Sequence, residues 1–141
     1  MTEVSRRAAL TLGTGTLAYV ALTGMPVFAS ATDEMIAAVT GGAEAVDGGI
    51  DVIAPEIAEN GNTVPIEVSA PGAASITILA TGNPNPGVAT FNFGPLAGSR
   101  SASTRIRLAR TQDVIAVAQM EDGTFRKASA NVKVTIGGCG G

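Results

Sequence analysis

The feature that most constrains this chain is a two-residue alternation of apolar and polar side chains, interrupted at intervals by turn residues. Val64, Ile66 and Val68 alternate with Pro65, Glu67 and Ser69, and Thr104, Ile106 and Leu108 alternate with Ser103, Arg105 and Arg107. Successive side chains of a strand point to opposite faces, so each run predicts a strand with one buried face. Ile76-Thr77-Ile78-Leu79 and residues 88–93 read as further strands. Residues 114–120 are nearly continuous apolar sequence, as a central strand would be, and residues 125–136 put Val132, Val134 and Ile136 on one face. Asn83-Pro84-Asn85-Pro86-Gly87 and Glu121-Asp122-Gly123 are turn chemistry. Six or seven short strands at this spacing predict an all-β fold, an immunoglobulin-like antiparallel β-sandwich. With no tryptophan and one cysteine, the Cys–Trp–Cys core of antibody domains is excluded. Several strands are apolar on both sides, which predicts that another chain covers one sheet face.

A short helix is expected ahead of the strands. Thr32 or Asp33 is expected to cap it, Met35, Ile36 and Val39 make its apolar face, and Gly41-Gly42 ends it. Before it lies Ser5-Arg6-Arg7-Ala8-Ala9-Leu10, a twin-arginine pattern, and then a mildly apolar stretch diluted by Gly13 and Gly15. That stretch is too short and polar to span a bilayer stably. Ala29-Ser30-Ala31 supplies small residues for cleavage, after Ala31 or after Ala29. The expected organisation is a twin-arginine signal peptide over residues 1–31, cleaved on export to the periplasm, then a sandwich domain over 32–136. A flexible glycine-rich arm over 137–141 completes it. Twin-arginine export carries folded cargo, and a chain with no histidine and one cysteine offers little to hold a metal or haem. Co-export of a protein partner lacking its own signal is the expected reason for the route.

The full chain carries a net charge of −3, and removing Arg6 and Arg7 with the leader makes the remainder more acidic. That argues against nucleic acid as a main partner, and nothing in the mature chain is expected to cross a membrane. Without histidine there is no Ser-His-Asp or Cys-His arrangement. Asp33/Glu34 and Glu121/Asp122 read as helix-dipole partners and a solvated turn, and Asn60-Gly61-Asn62 as a turn. No catalytic residue, metal site or cofactor is assigned. Arg105, Arg107 and Arg110 form a small basic cluster. It reads either as a solvated strand face that protects an edge or as a dock for an acidic partner or anionic substrate. Arg110 falls on the other parity or past the strand end, so the three need not act together.

The chain ends Gly137-Gly138-Cys139-Gly140-Gly141. Cys139 has no intramolecular disulfide partner, and glycine puts no side chain in the way of whatever approaches the sulfur. No cation flanks it, so the thiol should titrate near or above about 8.5, which suits an attachment point better than a self-activated nucleophile. Five extended residues reach at most about 17 Å beyond Ile136, enough to enter a partner's cleft.

This terminus, preceded by Val132-Lys133-Val134-Thr135-Ile136, resembles the SoxY family of sulfur-carrier subunits of bacterial thiosulfate oxidation. Pro55-Glu56-Ile57-Ala58-Glu59-Asn60-Gly61, Asn83-Pro84 with Pro86, Thr104-Arg105-Ile106-Arg107-Leu108-Ala109 and the twin-arginine leader are also similar to that family. The resemblance implies a non-catalytic, immunoglobulin-like subunit paired with SoxZ, a partner without its own signal. It implies that Cys139 carries the pathway intermediates covalently, with Gly137, Gly138, Gly140 and Gly141 as its arm. A c-type cytochrome enzyme would join thiosulfate to the thiol and a dimanganese hydrolase would release sulfate. In some organisms a sulfane dehydrogenase would oxidise the remaining sulfur. Two other readings stand beside it: a ubiquitin-like carrier acting through a C-terminal thiocarboxylate, and a structural sandwich crosslinked through Cys139. The export signal and the β pattern speak against the first.

Overall fold

The computed structural model describes residues 30–135. Among the described residues one helix, α1 (Ala31–Thr40), precedes nine strands: β1 (Ala45–Asp47), β2 (Asp51–Ile53), β3 (Ile57–Ala58), β4 (Val64–Ser69), β5 (Ala73–Ala80), β6 (Gly87–Asn92), β7 (Ser101–Ile106), β8 (Gln112–Met120) and β9 (Phe125–Val134). They form two sheets, in the orders β1-β9-β8-β5-β6, with β3 also on β9, and β2-β4-β7. This is the immunoglobulin-like sandwich that the alternation predicts. β8 is central, as its apolar run requires.

The alternation sorts the core. Val64, Ile66 and Val68 of β4 face Ile76, Ile78, Ala80, Val114, Ala116, Ala118 and Val132 of the larger sheet, all buried. Burying a Val or Ile side chain stabilises by about 1.5–3 kcal/mol, so this interior dominates the fold's stability. Ile106 and Leu108 extend it toward one end.

Three features depart from the sequence reading. The strands β1 and β3 pair with β9 in parallel, Ala45 opposite Phe125 and Ile57 opposite Lys133. Between them the chain crosses to the smaller sheet as β2, antiparallel to β4. Runs of two or three residues are too short to carry a readable period. The helix cap is Ser30, not Thr32 or Asp33: Ser30 Oγ accepts from Asp33 N at 3.2 Å, and Asp33 Oδ2 accepts from Ser30 N at 3.3 Å. Asp33 is thus the third helical residue of a capping box, and Gly41, at φ 65°, terminates the helix as expected. Finally, the second apolar face needs no other chain over part of its area. Leu79 and Val117 are fully buried on the side of the larger sheet away from the core, and α1 packs on β5 and β8 there. Met35 reaches Gly87 so closely that a Cβ on that glycine would lie 2.6 Å from Met35 Cε.

Candidate functional site

Cys139 and the four glycines Gly137, Gly138, Gly140 and Gly141 lie outside the described residues, as do residues 1–29 of the expected leader over 1–31. The described chain ends at Thr135, and what surrounds that point is the root from which the cysteine-bearing tail departs.

The root is held on two sides. On one side the segment through β3 runs along the end of β9: Lys133 N donates to Glu56 O at 2.9 Å and Thr135 N to Ala58 O at 3.0 Å. On the other side, Val134 N donates to Thr111 Oγ1 at 3.0 Å. Gly61 closes the gap between these flanks. Its carbonyl accepts from Leu108 N at 2.7 Å. A Cβ on Gly61 would stand 2.5 Å from Leu108 O and 3.0 Å from Val134 Cγ1, so only glycine permits this approach.

The loop carrying Arg107 to Thr111 is itself stapled to the β5–β6 turn. Asn83 Nδ2 donates to Arg107 O at 2.8 Å, and Asn83 Oδ1 accepts from Ala109 N at 2.9 Å. Gln112, 6% exposed, accepts from Gly82 N at 2.9 Å and donates to Arg110 O at 2.9 Å and to Asn83 Oδ1 at 3.0 Å. Buried polar side chains persist when their groups are paired, and a fully paired network fixes one geometry. Arg110 Nε donates to Gly82 O at 3.1 Å, which orients its guanidinium.

Three stretches that the sequence analysis singled out separately, over 55–61, 83–86 and 104–109, therefore meet at one end of the sandwich, around the root of the tail. Gln112 and Thr111 were missed; neither stands out in a sequence, because their partners lie about 30 and 23 residues away. The structure also divides the arginine cluster. Arg105 lies on the outer face of the smaller sheet, opposite Pro65, while Arg107 and Arg110 belong to the loop at the root. Glu121 and Asp122 occupy the β8–β9 hairpin, at the far end of β9. There Asp122 Oδ1 accepts from Thr124 N at 2.9 Å and Thr124 Oγ1 at 2.6 Å, and these bonds hold its carboxyl below the ordinary carboxylate range. Among the described residues no three His, Cys, Asp or Glu side chains gather as a metal site would need, and no helix is long and apolar enough to cross a membrane.

The family described as "Sulfur oxidation protein SoxY" matches residues 36–139, a span that includes Cys139. The sulfur carrier protein SoxY from Chlorobium limicola f thiosulfatophilum has a similar solved structure, with 38% identity and a TM-score of 0.64, covering 74% of this chain and 96% of that one. A superoxide reductase (neelaredoxin) from Ignicoccus hospitalis is 14% identical with a TM-score of 0.56, covering 62% of this chain and 81% of that one. A putative superoxide reductase from Thermotoga maritima is 17% identical with a TM-score of 0.53, covering 66% and 89%. These last two share the fold alone. No curated protein matches the sequence.

Proposed function

The chain belongs to the SoxY family of sulfur-oxidation proteins, and from that premise we propose that it is a non-catalytic carrier that holds thiosulfate-derived groups on the Cys139 thiol. The observation that carries this reading is the single cysteine in its glycine frame, inside the span that matches the family. The placement of the 55–61, 83–86 and 104–109 segments around the tail's root supports it.

The chemistry divides between carrier and enzymes. Loading joins thiosulfate's outer sulfur to the thiol: a new S–S bond forms, one proton leaves, and two electrons pass to a c-type cytochrome enzyme. Hydrolysis of the resulting sulfonate by a dimanganese enzyme adds water, releases sulfate and two protons, and leaves a persulfide on Cys139. A sulfane dehydrogenase would act on that sulfur in organisms that oxidise it further. None of these steps asks the carrier for a base or a metal. It must expose the thiol on an unobstructed backbone and hold the tail's root still while the tail is engaged. The organisation proposed is a leader over 1–31 removed on twin-arginine export, a domain over 32–136 and an arm over 137–141. The setting is the periplasm, and the partner is SoxZ, co-exported as a heterodimer.

Intact mass of the secreted protein from thiosulfate-grown cells, with and without reductant, tests the reading. A reducible sulfur-containing adduct on the Cys139 peptide is expected, and Cys139→Ser should abolish thiosulfate-dependent electron transfer. A thiol that stays unmodified, or forms only a Cys139–Cys139 dimer, would sink the carrier role.

A further inference from the structure

We propose that Asn60 is a site of spontaneous covalent modification: its side-chain amide is lost through ring closure with Gly61, and the rearranged product breaks the contact between Gly61 and Leu108.

Three observations lead there. Of the six asparagines in the chain, only Asn60 is followed by glycine. With no Cβ on Gly61, no side chain screens its nitrogen from the Asn60 side-chain carbon. Next, Asn60 Oδ1 accepts from Asn62 N at 3.1 Å, in a turn where Thr63 N also donates to Asn60 O at 3.4 Å. This Asx turn closes a ring that contains both Asn60 Cγ and Gly61 N, so the reacting atoms are held as neighbours. It also aims the Asn62 N–H at the oxygen that turns negative when the nitrogen attacks, as an oxyanion donor does. Last, the Gly61 N–H has no acceptor among the described residues and Asn60 is exposed, so base in solvent reaches the proton.

The other asparagines lack this combination. Asn83 and Asn85 precede prolines, whose nitrogens carry no proton. Asn92 precedes Phe93, whose N–H is held by Ala74 O at 2.9 Å, and Asn62 precedes Thr63, whose N–H is held by Asn60 O. Asn131 lies within β9 ahead of the β-branched Val132, its amide bound to Asp113 Oδ1 at 2.8 Å.

The reaction needs only water and base. Gly61 N gives its proton to solvent and bonds to Asn60 Cγ. The Cγ–Nδ2 bond breaks, and the nitrogen leaves as ammonia with a proton from water. Water then opens the ring at either carbonyl, giving aspartate or, with the main chain rerouted through Cγ, isoaspartate. No electrons are exchanged. Isoaspartate lengthens the backbone by one atom immediately before Gly61, where there is no slack. Leu108 N is 2.7 Å from the Gly61 carbonyl, and a Cβ on Gly61 would stand 2.5 Å from Leu108 O. The displacement therefore breaks the bond to Leu108 and loosens that side of the root.

Peptide mapping by mass tests this, on purified full-length protein kept at mildly alkaline pH either folded or in urea. Isoaspartyl methyltransferase, which methylates isoaspartate and not aspartate, marks the rerouted product. Folded protein should lose the Asn60 amide at least as fast as the urea-unfolded chain, while its other five asparagines stay intact. The isoaspartate form, separated by its added negative charge, should lose hydrogen-exchange protection at the Leu108 amide and unfold at a lower urea midpoint. Asn60→Ser, whose hydroxyl makes the same kind of turn bond, should keep both its mass and the protection of Leu108. An Asn60 that survives in the folded protein while the unfolded chain converts overturns the inference, because the fold would then shield the site. So does equal loss at another asparagine of the folded protein, or an isoaspartate form that keeps full protection at Leu108. None of these readouts involves Cys139, so the carrier reading is tested separately by the mass of the Cys139 peptide.

Discussion

Gln112 organises more of the root than any charged residue there. Its one side chain serves Gly82 N, Arg110 O and Asn83 Oδ1 at once. Gln112→Leu would keep the volume and take this partner from Gly82 N and Arg110 O, while Asn83 Oδ1 keeps Ala109 N, a loss expected to cost about 2 kcal/mol. Urea unfolding should show a lower midpoint with an unchanged slope, and the amides of Gly82 and Ala109 should lose hydrogen-exchange protection first. At the far hairpin, Asp122 gives a pH dependence whose sign follows from its bonds. The folded carboxyl titrates lower than the unfolded one, so the unfolded state binds the proton more readily. The contribution is therefore present above the ordinary aspartate pKa and lost as the pH falls through the lower folded value. Asp122→Asn should flatten stability against pH in that acid window, as read by thermal melts. The group is exposed, so the change should be small.

At the scale of elements, α1 stands apart because its cap coincides with the expected processing site. Cleavage after Ala31 would remove Ser30 and with it the capping box. Cleavage after Ala29 would leave Ser30 as the first residue and add the charge of its new ammonium beside Asp33, whose Oδ2 accepts from Ser30 N and from Ser30 Oγ at 2.8 Å. The proposed cleavage after Ala31 therefore costs the helix its cap, and N-terminal sequencing of the exported protein distinguishes a start at Thr32 from one at Ser30. In the uncleaved chain Ser30→Ala should weaken the helix by about 1 kcal/mol, read as faster amide exchange at Asp33 and Glu34. The sequence analysis looked for the cap two or three residues later because Ser30 had been absorbed into the cleavage motif. It expected another chain over one sheet face because several strands are apolar on both sides. Nothing local announces that α1 packs on β5 and β8 over part of that face.

Across the whole molecule, what could be read was what repeats or stands alone. Val64, Ile66 and Val68 declare a strand because burial imposes the period. The tail declares itself because Cys139 is unique and its neighbours are glycines. The root escaped because it is assembled from Ala58, Gly61, Asn83, Thr111 and Gln112, residues ordinary in type and joined only by folding. The two short parallel strands escaped for want of length, yet they have a mechanical consequence. Force applied at Thr135 along the axis of β9 would act on a strand bonded to β8 on one side and to β1 and β3 on the other. Those bonds lie across the direction of pull and share the load in shear, where a hairpin peeled from its end would open one bond at a time. Load applied at the end of the described chain is thus met by a strand with partners on both sides.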